Sequence, residues 1–252
     1  MHSAIDEVLR LRRWIAPLAD FEQSFLEVQT YRDQVEIAPA GAGILRCKSL
    51  RYRTADYDRL APTDVDGRAE DAIAIVGDAS ARMAFAQLVL GLTQPSEGEV
   101  TIDGINPAEV PETRRRSLVA GVLSGAEPVG GTIIDSFRLI DPACGRSAVL
   151  DACAQVGLRE WMAALPLGEL TPLSRSALAG AVSPLLCLAG LLLRLPRVLV
   201  LDGTLDQLDT ARAQALARFA AVLPCTVVLC TARPDIIPPN FRPVSVFTKR
   251  PD

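Results

Sequence analysis

The run AIAIVGDASARMAFAQLVLGL, which ends at Leu92, joins an apolar strand pattern to an apolar helix pattern at Gly77. A turn at such a junction can bind phosphate. The spacing G-x-x-x-x-G-K-[ST] uses glycines to point consecutive backbone N–H groups at the anion, a Lys to reach the terminal phosphates and a hydroxyl to hold Mg²⁺. Gly77 supplies the first glycine, but at strict spacing Arg82, Met83 and Ala84 stand at the closing glycine, the Lys and the hydroxyl. With a loop one residue shorter, Arg82 falls on the Lys position and Met83 and Ala84 on the two hydroxyl positions. A cation then survives and a magnesium ligand does not. The Cβ atoms of residues 79 to 82, Ser80 among them, oppose the positive φ that a tight anion nest requires. Taken alone, the segment also reads as an ordinary strand and helix joined by a turn.

Other segments follow at compatible spacing. VLVLDG ends a buried run on Asp202, with Gly203 next; DQLD spans Asp206 to Asp209; CTVVLCTAR closes another apolar run before Ala232. Together with the Gly77 segment, these resemble the nucleotide-binding domain of ATP-binding cassette (ABC) exporters. Tyr52 in SLRYR looks like the aromatic that stacks on adenine. GLTQPSEGEVTIDG, Gly91 to Gly104, is close to the family's helix exit and hairpin, with Gly98 and Gly104 as turn residues, and is the most specific part of the match. GVLSGAEPVGGTIIDSF is similar to the glutamine loop, with Ser124 in place of the glutamine. LPLGELT, Leu165 to Thr171, keeps the phrase before the signature. Counting back from RLPRVLVLD, the signature LSGGQ aligns with Leu178, Ala179, Gly180, Ala181 and Val182. Asp202 takes the Walker B carboxylate position, Gly203 replaces the glutamate that polarises water, Asp209 keeps the last Asp of the D-loop, and Ala232 replaces the switch histidine. The resemblance covers about residues 41 to 233, and scaffold positions match better than catalytic ones.

What the resemblance implies is a pseudo-ATPase, with no catalytic residue intact. It would be the structural or regulatory half of a membrane exporter, partnered by an ABC-type transmembrane domain and a second nucleotide-binding domain, at the cytoplasmic face of the membrane. Phosphoryl transfer depends on positioning and charge stabilisation, so each lost part removes a share of the rate. No cofactor is certain. ATP would be bound weakly at best, through Tyr52, Gly77, Ser80, Arg82 and Met83, while Asp202 without a hydroxyl partner would hold Mg²⁺ poorly. In the family's head-to-tail pairing, Ala179, Gly180 and Ala181 of the signature segment from Leu178 would face a partner's P-loop, with Asp209 contributing across the interface. Two alternatives stay open. One is a slow ATPase, with Arg82 and Asp206 in the missing roles or with turnover only in a composite site. The other is a docking scaffold outside transport.

The rest of the chain supplies the frame. At 252 residues and 49% hydrophobic content, it is long enough for one large core or a domain with a subdomain. A net charge of −4 with scattered basic residues gives no nucleic-acid footprint, and Arg114-Arg115-Arg116 reads as a solvated helix face. Six Cys form no C-x-x-C pair and the one His is at position 2, so neither a zinc site nor a His-based triad is expected. Reduced core thiols in a cytosolic compartment are the default. No charged start precedes an apolar run, so no signal peptide is expected.

Ile44 to Tyr52 and Val100 to Asp103 read as strands of an antiparallel edge subdomain. Ile73 to Val76, Val198 to Leu201 and Thr226 to Cys230 are the apolar runs of a parallel sheet. The expected fold is α/β, a P-loop (RecA-like) core with a helical subdomain at about residues 132–195, in a domain spanning 41–248. Asp151 to Leu195 should be mostly helical, broken at Pro166, Pro172 and Pro184. Ser176 to Leu193 is uncharged over about 18 residues, but Gly180, Pro184 and Gly190 interrupt it, so it reads as core. Residues 1–40 form an amphipathic helix and linker. Leu11, Trp14, Leu18, Phe21, Phe25 and Val28 make a heptad stripe, with a kink or start near Pro17 and a linker from Ala38 to Gly43. That helix either descends from a transmembrane segment, making the chain a fragment or relic of a longer membrane protein, or folds back on its own domain or dimerises.

Overall fold

The structure, a computed structural model, describes residues 42–54, 57–174, 178 and 180–249. The heptad stripe, the linker as far as Gly41, and Ala179 lie outside the described residues. Chain order is β1 (Leu45–Arg53), β2 (Asp58–Asp66), β3 (Ala72–Gly77), α1 (Ala79–Val89), β4 (Glu97–Ile102), α2 (Glu112–Leu118), β5 (Val119–Val122) and α3 (Ile133–Arg138). It continues with α4 (Arg146–Gln155), α5 (Arg159–Ala164), α6 (Val182–Leu192), β6 (Val198–Asp202), α7 (Thr210–Ala220), β7 (Thr226–Cys230) and β8 (Arg242–Val246).

Two sheets result. One is antiparallel and three-stranded, in the order β2-β1-β4; the other is parallel and five-stranded, in the order β5-β6-β7-β3-β8. The central strands β6 and β7 are buried along their whole length, as their continuous apolar runs require of a sheet covered on both faces. Alternation of side chains divides the core in two. Ile73, Ile75, Val198, Val200, Val228 and Cys230 face α1 and the antiparallel sheet. Ala74, Leu199, Leu201, Val227 and Leu229 face the layer that holds α3 to α7. α1 is therefore covered from both sides, and its buried residues include Ala81, Ala84, Phe85 and Leu88.

The strands expected from sequence are present within a few residues of their bounds, and three strands were not expected. These are β2, β5 and β8, all of them sheet edges. An edge strand needs no continuous apolar run and tolerates Pro, which is what Pro62 in β2 and Pro243 in β8 exploit. Pro184 is not the break expected of it. It lies in the first turn of α6, where its missing N–H costs no helix bond. α6 buries Leu185, Leu186, Leu188 and Ala189, and no helix among the described residues is long and apolar enough to cross a membrane.

One carboxylate ties the two sheets. Asp103, in the turn after β4, accepts bonds from the N–H groups of Ile44 (2.9 Å) and Gly43 (3.1 Å) and from Arg197 Nη1 (3.0 Å), just ahead of β6. Burial alone would raise the Asp103 pKa, but the Ile44 and Gly43 N–H groups and the Arg197 guanidinium outweigh it and hold the carboxyl below its usual value. A depressed folded-state value gives stability that is present above the ordinary carboxylate range and is lost as pH falls through the folded value. Asp103→Asn should therefore lower the urea midpoint at neutral pH and flatten its decline as pH falls into and below the ordinary carboxylate range. An unchanged acid slope in the variant would contradict this account.

Candidate functional site at the strand ends

The segment between β3 and α1 has no phosphate-cradling loop. Gly77 ends β3 at φ +125°, and a Cβ there would lie 2.0 Å from the Val246 carbonyl of β8. Close approach of two strands, independent of any ligand, already demands this glycine. Asp78 is the whole turn. Its side chain does not cap α1; it accepts from the Thr248 N–H (2.8 Å) and hydroxyl (2.9 Å). Those bonds, the Thr248 N–H foremost, hold the Asp78 carboxyl below its ordinary value. Residues 79 to 82, which either spacing of the motif places in the loop, instead form the first turn of α1, with the Arg82 N–H bonded to the Asp78 carbonyl at 2.9 Å. Without glycines at 80 and 82 nothing favours the left-handed backbone of a nest, and helix propagates.

The side chains follow from that start. Ser80 is half-buried in the first turn, Met83 is 44% exposed and Ala84 is packed in the core. Arg82 Nη1 donates to the Gly77 carbonyl, while its Nε is buried without a hydrogen-bond partner.

Asp202, at the end of β6, is 6% exposed. Burial pushes its carboxyl up, against the opposing charge of Arg82 and the Ser124 N–H, and Asp206 adds to the rise. A raised value means that the ionised form is the costlier one in the fold. The protonated-form advantage is full below the ordinary carboxylate range and vanishes as pH rises through the folded value. Gly203 follows in the left-handed region at φ +62°, its N–H bonded to the Cys230 carbonyl at 2.9 Å. Ser124, exposed, faces it: a Cβ on Gly203 would sit 3.4 Å from the Ser124 Cβ.

The next segment is latched to the end of β7. Asp206 accepts from the Thr231 hydroxyl (2.5 Å) and the Ala232 N–H (3.1 Å). Arg233 donates to the Leu208 carbonyl (2.5 Å), the Thr210 hydroxyl (2.6 Å) and Asp235 (2.7 Å). Asp209 caps α7 through the Arg212 N–H at 3.0 Å. Ala232 itself is exposed.

An open pocket of about 160 Å³ brings together Ser124, Leu178, Gly180 and Gly203, with Glu127 and Gln207 on its wall. Ala181 precedes α6, whose Ser183 hydroxyl donates to the Ala126 carbonyl at 2.9 Å and fixes that wall. Tyr52 lies apart, on β1, half-buried against the core of the antiparallel sheet. Its neighbours Arg51 and Arg53 both bond the buried Asp58. Thr231 and Arg233, on either side of Ala232 in CTVVLCTAR, and Thr248 shape the site, and no signal in the sequence singled them out. Among the described residues, no three His, Cys, Asp or Glu side chains come together as metal ligands.

A parallel sheet with Asp202 at the tip of a central strand and a helix rising from Gly77 defines the P-loop class of nucleotide-binding fold. The chain matches a bacterial Atm1-family ABC exporter with ATP bound at a TM-score of 0.72 and 20% identity, covering 92% of this chain and 44% of that one. Sequence relatives agree. The ABC transporter ATP-binding protein RamA of Streptomyces coelicolor is 29% identical over 203 residues, 79% of this chain and 32% of that protein. The ATP-dependent lipid A-core flippase of Neisseria meningitidis serogroup A is 27% identical over 197 residues, 76% of this chain and 32% of that protein. The mycobactin import ATP-binding/permease protein IrtB of Mycolicibacterium smegmatis is 30% identical over 146 residues, 57% and 25%. The chain thus spans about a third or less of the length of these relatives. No family model matches. The chain is thus similar in sequence and in fold to the nucleotide-binding domains of ABC exporters.

The left-handed backbone at 203 has a measurable consequence. Gly203→Ala and Gly203→Glu should each lose about 1–2 kcal/mol of stability in urea denaturation, because any Cβ opposes that conformation. Equal stability of Gly203→Glu and the parent chain would mean that the turn relaxes freely.

Proposed function

We propose that this chain is a pseudo-ATPase cassette, the structural or regulatory half of an ABC exporter that pairs with a second nucleotide-binding domain and a transmembrane domain. The observation that carries the reading is the start of α1 at Ala79, which leaves no loop to cradle a triphosphate. Three further features support it. Arg82 spends a donor on the Gly77 carbonyl. Gly203 holds a backbone that a glutamate would adopt only under strain. Ala232 offers no polar side chain at the position of the switch histidine. The residues present therefore fit magnesium-bound ATP poorly, and no hydrolytic step is derived through it.

Compensation by Asp206 is disfavoured by its own bonds, since both carboxylate oxygens already accept from Thr231 and Ala232. A membrane-side partner is favoured over a free-standing scaffold by exposed Val129, Leu167 and Leu170, which lie on segments joined by the Thr132–Pro172 bridge. Large apolar side chains left in water suit a contact surface.

The test is phosphate release by the purified chain with millimolar MgATP, compared with Asp202→Asn. The expected result is one background rate for both proteins. Turnover that depends on Asp202 would overturn the reading in favour of a slow enzyme. Calorimetric titration of the same chain with MgATP, with Arg82→Ala and Tyr52→Ala as controls, separates binding from turnover: saturable heat lost in both controls would identify a sensing site, and a flat trace a scaffold.

A further inference from the structure

Two loops leave the ends of β6 and β7, one running from Gly203 to the start of α7 and the other from Thr231 to Ile236. Their inner sides are seated by packing, with Leu205, Leu208 and Ile236 buried. Their polar sides are joined by one guanidinium. Arg233 Nη1 donates to the Leu208 carbonyl (2.5 Å) and, at 3.4 Å, to the Asp206 carbonyl. Its Nη2 donates to the Thr210 hydroxyl (2.6 Å) and to Asp235 (2.7 Å). Thr210 in turn donates to Asp235 (3.0 Å), and the Gln214 amide on α7 donates to the Asp235 carbonyl (2.7 Å). From the opposite side, Asp206 accepts from the Thr231 hydroxyl and the Ala232 N–H, while Thr231 Oγ1 also accepts from the Arg233 N–H at 3.0 Å. Each loop therefore holds the other with a side chain of its own. Among the described residues, one backbone–backbone bond, from the Gly203 N–H to the Cys230 carbonyl at the end of β7, ties the first loop to the root of the second.

We infer that these bonds form a clasp with Arg233 as its pin, a device built into the fold that makes the two loops open and close as one cooperative unit. A planar fork of fixed donors suits the task, because release of either loop leaves donors of a partly buried cation without partners. On the proposed reading, Asp209 contributes to the interface with a second cassette, and the clasp carries a change at that surface to the end of β7. That consequence rests on the pseudo-ATPase reading; the clasp itself does not.

Native-state hydrogen exchange on the full chain, without nucleotide, tests the clasp. The reporter amides are Asp206 and Leu208 in the first loop and Ala232 and Arg233 in the second. Arg233→Met should speed exchange in both loops about tenfold relative to Val228 and Leu229 in β7. Arg233→Lys, whose single ammonium cannot span the same acceptors, should speed it at least about threefold. Asp206→Ala, cut from the other end, should speed exchange at the Arg233 amide as well as at Leu208. No acceleration, or acceleration limited to the loop that carries the substitution, would overturn the inference. An equal rise in β7 would overturn it too, since that marks loss of global stability rather than a local unit. Should Arg233→Met fail to fold, Arg233→Lys and Asp206→Ala decide by the same criterion. Neither nucleotide nor partner enters the measurement, so turnover in the phosphate-release assay would sink the pseudo-ATPase reading and leave the clasp to be judged by exchange alone.

Discussion

The passage from β3 into α1 through a single residue governs the geometry of everything above the sheet. Gly77 packs so closely on Val246 that the chain must leave β3 at that point, and Asp78 is anchored sideways on Thr248 rather than on the helix. α1 then has to begin at Ala79. Its phase puts Ala81, Ala84, Phe85 and Leu88 between the two sheets, and puts Arg82 above the strand ends. A five-residue loop would free several backbone N–H groups for an anion and would start the helix a turn later. Here that turn is spent on helix bonds.

The electrostatics at the strand ends follow from this placement. Parallel strands deliver their C-terminal ends to one edge, so Asp202, Cys230 and the segment that carries Asp206 converge there. Burial raises the thiol of Cys230 well above its ordinary value, with Asp202 adding to the rise and Arg82 opposing it. Asp206 accepts hydrogen bonds from a hydroxyl and an N–H, and Arg233 binds the neighbouring carbonyls. The outcome is a set of polar groups that satisfy one another across two loops. Internal satisfaction of this kind makes segments rigid, because each bond broken leaves a partly buried group without a partner.

Legibility in the sequence divides along the same line. The strands that a reader can find, Val198–Asp202 and Thr226–Cys230 above all, are those buried on both faces, since burial writes continuous apolar runs. The edge strands escape because half of each faces water: DRLAPTDVD alternates with charges, and RPVSV carries a Pro. At the site, the residue types were legible and their conformations were not. The Cβ atoms of residues 79 to 82 were visible as a cost to the nest, yet the start of α1 at Ala79 depends on the long-range contacts of Gly77 with Val246 and of Asp78 with Thr248. Those partners lie about 170 residues away, and no local pattern announces them. The same holds for Arg233, whose partners on the 208–210 segment meet it only through the parallel sheet.

The distribution of kept and lost residues has a physical reason. Met83, Ser124 and Ala232 are exposed, so substitution there disturbs neither core cluster. Gly77 and Gly98 persist at positions where a side chain has no room: a Cβ on Gly98 would stand 2.2 Å from the Ser49 carbonyl, much as one on Gly77 would strike Val246. Asp202 is intermediate. It is buried at the end of a central strand, where burial pushes its carboxyl up and the charge of Arg82 opposes only part of the rise. The two apolar layers that stabilise this domain do not include Arg82, Ser124, Gly203 or Ala232, so fold and chemistry are free to part company there. On the proposed reading, this cassette has lost the groups that act on phosphate while keeping the glycines, strands and buried helix that give it its shape.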